Sequence, residues 1–189
     1  MAHLAAARMS HADYLAAEDV SDIRHEYLRG QVFAMAGGAP EHGALASAIT
    51  VALGNALRGR PCRVFNSDVR VRSRETGLTT YPDLSVVCGR LERDEEDTNA
   101  IVNPVVIIEV LSDSTEAYDR GEKAAHYRQL ASLREYVLMS QHEPRIEVFR
   151  RNEAGRWELY EAVAGQRVEL ASLGASLEVD ELYRDPLSE

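Results

Sequence analysis

Val105-Val-Ile-Ile-Glu109-Val-Leu111 sets one carboxylate in a run that is otherwise wholly apolar. The run does not alternate, so both of its faces must be covered. That is the pattern of a central strand in a layered α/β protein, not of a half-solvated one. An ionised carboxylate in such a strand is costly unless a cation or a set of donors meets it. The residue that decides the fold is therefore also a candidate for chemistry.

The sequence offers a cation just downstream. Of the 21 basic residues only Lys123 is lysine. Arginine can carry charge almost anywhere, but it does not replace a compact ammonium whose pKa shifts on burial or that must approach a phosphate closely. Ser112-Asp-Ser-Thr115 supplies several helix caps, and a helix follows to about Leu130, firm from Asp119. Asp119, Lys123, Tyr127 and Leu130 share one stripe of it, facing inward through the last two. The competing reading is a surface i,i+4 pair between Asp119 and Lys123, worth only ~0.2–0.5 kcal/mol.

Upstream, Tyr81-Pro-Asp83-Leu-Ser-Val-Val-Cys88 reads as a strand able to lie beside the Glu109 strand, with proline tolerated at its start. Asp83 is then a second carboxylate at the same place. Two carboxylates suit a hard divalent ion, magnesium with manganese as the substitute, which keeps several waters. With an ammonium nearby to steady developing charge, the chemistry they suit is phosphodiester hydrolysis.

The remaining elements fall around this centre. Ser10 and Asp13 open a first helix over 10–18, and Arg24 to Met35 forms two short strands turned at Arg29-Gly30. A Gly-Gly-Ala-Pro break precedes a helix from about Glu41 to Leu57, striped by Leu45, Ile49, Leu53 and Leu57. Cys62 to Arg72 reads as one strand. Further strands are expected over Glu135–Met139, Arg145–Arg150 and Trp157–Ala162, and a short helix over Leu177–Tyr183. The whole is one domain, residues 1–189, with a core over about 24–162 and a C-terminal tail over 163–189. Its class is α/β, a mixed sheet flanked by helices.

Composition narrows the setting. Hydrophobic residues make up 45% and charged residues 28%, as in ordinary globular proteins. No apolar stretch approaches the ~20 residues that span a bilayer, and residues 1–8 lack a signal-peptide pattern, so a cytoplasmic protein is expected. Cys62 and Cys88 read as structural thiols. A net charge of −10 opposes loose attachment to a polyanion. Arg70, Arg72 and Arg74 alternate along one strand face, which is expected either to bind a nucleic-acid backbone or to be a solvated sheet edge. The acidic piece 91–99 is expected to be a solvated, mobile loop. Asp68 is expected to pair with Arg70. His42 is read as a helix cap or as an aid near substrate, and the other histidines lack zinc-ligand spacing.

These residues resemble the Uma2-like family of the PD-(D/E)XK nuclease superfamily. The likeness runs through His25-Glu-Tyr-Leu-Arg-Gly-Gln-Val32, Ser67-Asp-Val-Arg-Val71, Tyr81-Pro-Asp83, Ile108-Glu-Val-Leu-Ser112, Tyr118-Asp-Arg-Gly-Glu-Lys123 and Leu133-Arg-Glu-Tyr-Val137. It implies a restriction-endonuclease-like fold, Asp83 and Glu109 as magnesium ligands, and Glu26 as a further acid at the site. It also implies DNA as substrate and a homodimer; with such a substrate, the alternation of Arg70 and Arg72 and the placement of His42 make these the expected substrate-binding residues. The superfamily's usual lysine lies two residues after the glutamate, where this chain has Leu111; Lys123 resembles a migrated replacement. Two other classes remain in view. One is a nuclease fold whose catalysis has lapsed, leaving a binding or regulatory module. The other is a metal-free acid/base hydrolase, disfavoured because a single tryptophan is a poor start for a sugar-binding surface.

Overall fold

A computed structural model describes residues 8–35 and 37–185. The readings placed on residues 1–7, His3 among them, lie outside the described residues. So do those on Ala36 and on the last four residues of the tail.

Three sheets organise the chain. The largest runs β11(Trp157–Val163), β10(Arg145–Arg151), β9(Glu135–Ser140), β8(Val106–Leu111), β6(Leu84–Cys88), β3(Cys62–Asn66). Only β8 and β9 in it are parallel; its other neighbours are antiparallel. A second sheet runs β2(Gln31–Ala34), β1(His25–Leu28), β5(Leu78–Thr80), β4(Arg70–Ser73), β7(Ala100–Ile101). A hairpin of β12(Arg167–Leu170) and β13(Ala175–Glu178) forms the third.

The expected central strand is β8, and each of its residues is buried. Side chains alternate across it, so Val106, Ile108 and Val110 join one core and Ile107 and Leu111 the other. The first core is covered by α2(Pro40–Ala56), through Leu45, Ile49 and Leu53, and by the C-terminal hairpin. The second is covered by a helical segment connecting β8 to β9, which carries Ala124, Tyr127 and, beyond its end, Leu130. Glu109 has the parity of Ile107 and Leu111, so its carboxylate emerges beneath that segment. A dozen or more residues must cross over between two parallel strands, and this crossover is what delivers the lysine.

The segment is not a uniform α-helix. It passes from α3(Glu116–Tyr118) through a π-helical turn (Asp119–Lys123) into α4(Ala124–Tyr127). A π turn holds one residue more than an α turn and is frequent at functional sites.

Arg29 and Gly30 turn β1 into β2 with φ of 48° and 95°. Positive φ at both central residues is the type I′ geometry that matches strand twist.

Several expectations need correction. The span 62–72 is two strands, β3 and β4, in different sheets, because Ser67 to Val69 turn the chain. The tail is a hairpin before α5(Val179–Leu182), not only a helix. Cys62 and Cys88 are directly opposed across β3 and β6 and form a disulfide; neither is a free thiol.

The acidic loop is anchored, not freely solvated. Asp97 receives Arg70 Nε and Nη2 at 2.6 and 2.7 Å, while Asp94 receives Arg74 Nε at 2.7 Å. Both carboxylates are buried. Asp94 and Asp97 also accept amides of their own loop, which forms a compact turn. A loop rich in acids can be held down when its partners are arginines on a neighbouring strand, and local composition does not report partners. Asp68 pairs with Arg24 instead of Arg70, whose guanidinium Asp97 already fills.

Candidate active site

A cavity of about 510 Å³ opens where the two larger sheets approach each other. Glu26 reaches it from β1, Asp83 from the residue just before β6, Glu109 from β8, and Asp119 and Lys123 from the π-helical turn. His42 arrives from the first turn of α2.

Asp83 and Glu109 are interlocked through the backbone. The Asp83 amide donates to Glu109 Oε2 at 3.2 Å, and the Val110 amide donates to Asp83 Oδ2 at 2.7 Å. This exchange follows from the antiparallel pairing of Leu84 with Ile108, which sets the two acids side by side. Lys123 Nζ lies 2.9 Å from Glu109 Oε1, 3.3 Å from Glu26 Oε1 and 3.4 Å from Asp119 Oδ1. Lys123 is 5% exposed, so it is no surface pair.

Burial pushes the Glu109 carboxyl up to about 8; Lys123 draws it down, while Asp83 and Asp119 push it further up. Burial alone would lower the Lys123 pKa. Glu109, then Tyr127 and Glu26, more than offset this and raise it well above the usual lysine value. His42 Nε2 stands 3.1 Å from Asp83 Oδ2, and that bond, partly opposed by burial, raises the imidazole. Asp119 is raised by burial against the pull of Lys123. Its Oδ1 is buried with no hydrogen bond, only the long approach of Lys123.

All four acidic and basic residues picked out in the sequence, Asp83, Glu109, Lys123 and Glu26, converge here, and His42 joins them. His42 does not cap its helix: α2 has Ala39 at its N-cap without a side-chain bond. Arg70 and Arg72 do not line the cavity. Arg70 is 7% exposed and is taken up by Asp97 and the Tyr81 hydroxyl, while Arg72 Nη1 donates to Thr79 Oγ1 at 2.7 Å and faces Asp94. The positive strand face expected from their alternation is neutralised by the acidic loop.

Sequence reasoning missed the tyrosines. Tyr127 donates its hydroxyl to Glu109 Oε1 at 2.8 Å, and Lys123 Nζ lies 5.9 Å from the centre of the Tyr118 ring. Thr80 donates to Glu26 Oε1. Tyr127 was visible on the Lys123 stripe, but as a core residue; only the carboxylate at the end of its ring gives the hydroxyl a task.

A mixed sheet with helices on its faces, and acids with one lysine at a cleft, is the architecture of the restriction-endonuclease-like class. The chain belongs to the Uma2 family, described as "Putative restriction endonuclease", whose profile matches residues 11–180. It is 37% identical over 177 residues to "Uncharacterized protein slr1290" of Synechocystis sp. (strain ATCC 27184 / PCC 6803 / Kazusa), covering 94% of this chain and 92% of that one. A second protein of that organism, "Uncharacterized protein sll1609", is 29% identical, covering 84% and 89%. A crystal structure of "a putative nuclease belonging to DUF820" from Anabaena variabilis ATCC 29413 superposes with a TM-score of 0.73 at 19% identity, covering 91% of this chain and 96% of that one. The likeness establishes a shared fold.

Proposed function

We propose that this protein is a metal-dependent endonuclease that hydrolyses DNA phosphodiesters at the cavity of Asp83, Glu109 and Lys123. The observation that carries the reading is that the chain's one lysine is buried 2.9 Å from the one carboxylate of its central strand. Membership of the family described as "Putative restriction endonuclease", and the fold shared with the structure described as "a putative nuclease", support it.

The donor set fits magnesium or manganese. Five carboxylates, those of Glu26, Asp83, Glu109, Asp119 and Glu122, share the cavity with a single lysine, and one oxygen of Asp119 is buried without a hydrogen bond, so negative charge is in excess. Among the described residues no cluster of three or more His, Cys, Asp or Glu side chains forms a cage. Magnesium is commonly held by one or two carboxylates and keeps its remaining waters. Asp83 and Glu109 are the residues that would hold it, and when bound it supplies Lewis acidity toward a phosphoryl oxygen.

The chain's own groups have separate tasks. Asp83 and Glu109 are oriented by the reciprocal amide bonds, so little reorganisation is needed on binding. Lys123 supplies positive charge for the oxygens of the phosphate under attack. Tyr127 holds Glu109 through the same oxygen that meets Lys123, and Glu26 restrains Lys123. His42, raised by its bond to Asp83, is placed to assist at a phosphate oxygen.

Purified protein with magnesium or manganese should cleave DNA, tested as supercoiled plasmid and as a single-stranded circle, and Asp83→Ala and Lys123→Ala should each abolish it. Absence of cleavage of both substrates with either metal would overturn the reading. A second reading has one observation behind it: the ammonium sits directly on Glu109, so the site is partly satisfied without a metal. In that case the protein is a nuclease-fold binding module, and calorimetry should show neither magnesium nor manganese bound at Asp83.

A further inference from the structure

The wall of the cavity facing the acids is apolar and ends in an unused aromatic ring. Leu28, Phe33, Ala34 and Met35 line it. Phe33 is 48% exposed, and the ring contacts among the described residues do not include it. It is the cross-strand partner of Glu26, whose Oε1 lies 3.3 Å from Lys123 Nζ. Directly opposed strand residues have Cβ atoms ~4.5–5.5 Å apart on one face, so the ring stands next to the acid that touches the lysine. Gln31, two residues before Phe33 on the same strand, adds an amide to the same lining.

Charge argues against a continuous duplex at this site. Duplex binding draws its affinity from arginines and lysines set against many phosphates. Among the described residues lining the cavity, Lys123 is the only lysine or arginine, against Glu26, Asp83, Glu109, Asp119 and Glu122. The strand arginines that could have made a phosphate track are bound to Asp94 and Asp97. The volume lies within the range of pockets for small ligands. One phosphate on the ion and lysine, with one base on an aromatic platform, is what such a chamber accepts.

We propose that the nucleotide beside the scissile phosphate is unpaired and stacks its base on Phe33, making single-stranded DNA the substrate. This rests on the reading of the cavity as a phosphodiesterase site.

The test measures binding separately from cleavage. Full-length protein is titrated, in calcium and at fixed salt, into a short oligonucleotide carrying 2-aminopurine and into its blunt duplex, following anisotropy and the base fluorescence. The single strand should bind at least ~10-fold tighter than the duplex and its 2-aminopurine should be quenched. Phe33→Ala should weaken the single strand by ~5-fold or more and abolish quenching, and Phe33→Trp should restore both. Equal or tighter duplex binding, or unchanged affinity and quenching in Phe33→Ala, overturns the proposal. Intact Phe33-dependent stacking without metal-dependent cleavage would count for the platform and against hydrolysis. Duplex cleavage at an unchanged rate in Phe33→Ala would count for hydrolysis and against the platform.

Discussion

Replacing Asp97 by asparagine should destabilise this protein far more than its place in an acidic loop implies. Arg70 is 7% and Asp97 3% exposed, and two nitrogens of the guanidinium meet the two carboxylate oxygens at 2.6 and 2.7 Å. Asparagine removes the charge and replaces one accepting oxygen by a donor, leaving the guanidinium buried with one neutral amide oxygen and the Tyr81 hydroxyl, 2.9 Å from Nη1. Breaking one side of a buried pair costs about 3–5 kcal/mol, because the surviving charge stays desolvated. At ~2–4 °C per kcal/mol for a chain of this size, the melting temperature should fall by about 6–20 °C. Calorimetric unfolding at neutral pH measures this. The double variant Arg70→Met/Asp97→Leu should recover most of the loss, since a well-packed apolar pair of similar volume is often as stable. A shift under ~2 °C for Asp97→Asn would mean that Arg70 is effectively solvated, and it would then be available to a nucleic-acid backbone. In that event Arg70→Met would also flatten the salt dependence of DNA binding by about one charge; here the slope should not change.

Lys123→Met should lower cleavage by ~100-fold or more in single-turnover assays, because the methionine keeps the stem and loses only the charge. Chelation of divalent ions should abolish DNA binding measured by anisotropy, since the cavity lining is then strongly negative. Burial pushes Asp94 up, but the Arg74 bond and the amides of Glu96 and Asp97 more than offset it, so its pKa is depressed. A depressed carboxyl stabilises above its unfolded value of ~3.9 and loses that contribution as pH falls through the folded value. The acid-unfolding curve below about pH 4 should therefore be steeper than that of Asp94→Asn. Cleaving the Cys62–Cys88 bond, with 26 residues of separation, should cost about 3 kcal/mol, read as a drop in chemical-denaturation stability on adding dithiothreitol.

What could be read in the sequence divides by the kind of signal. β8 was legible because burial on both faces writes an unbroken apolar run, and α2 because its leucines and isoleucine repeat at helical spacing. The convergence on Glu109 was legible because one acid in a core strand demands a partner and one lysine was available. Pairings between distant polar groups were not. Nothing local tells Arg70 that Asp97 will close on it, or Cys62 that Cys88 will stand opposite, since both depend on which strands become neighbours. Arg167 to Glu178 was missed for a related reason. Val168, Leu170, Ala175 and Leu177 do alternate with polar residues, but each strand has only four residues, too few for the period to stand out.

The π-helical turn makes the chemistry depend on chain length as well as on residue identity. It holds one residue more than a regular helix would between the end that follows β8 and the end that feeds β9. Deleting one residue at Gly121 would let the hydrogen bonds revert to the tighter coil, and it would rotate Asp119 and Lys123 relative to each other by about a quarter of a turn. One of them would leave the cleft while every side chain named above remained in the chain. A single-codon indel here is therefore a route by which a relative could keep its whole fold and every acid yet lose the pairing of lysine and carboxylate on which the proposed activity rests.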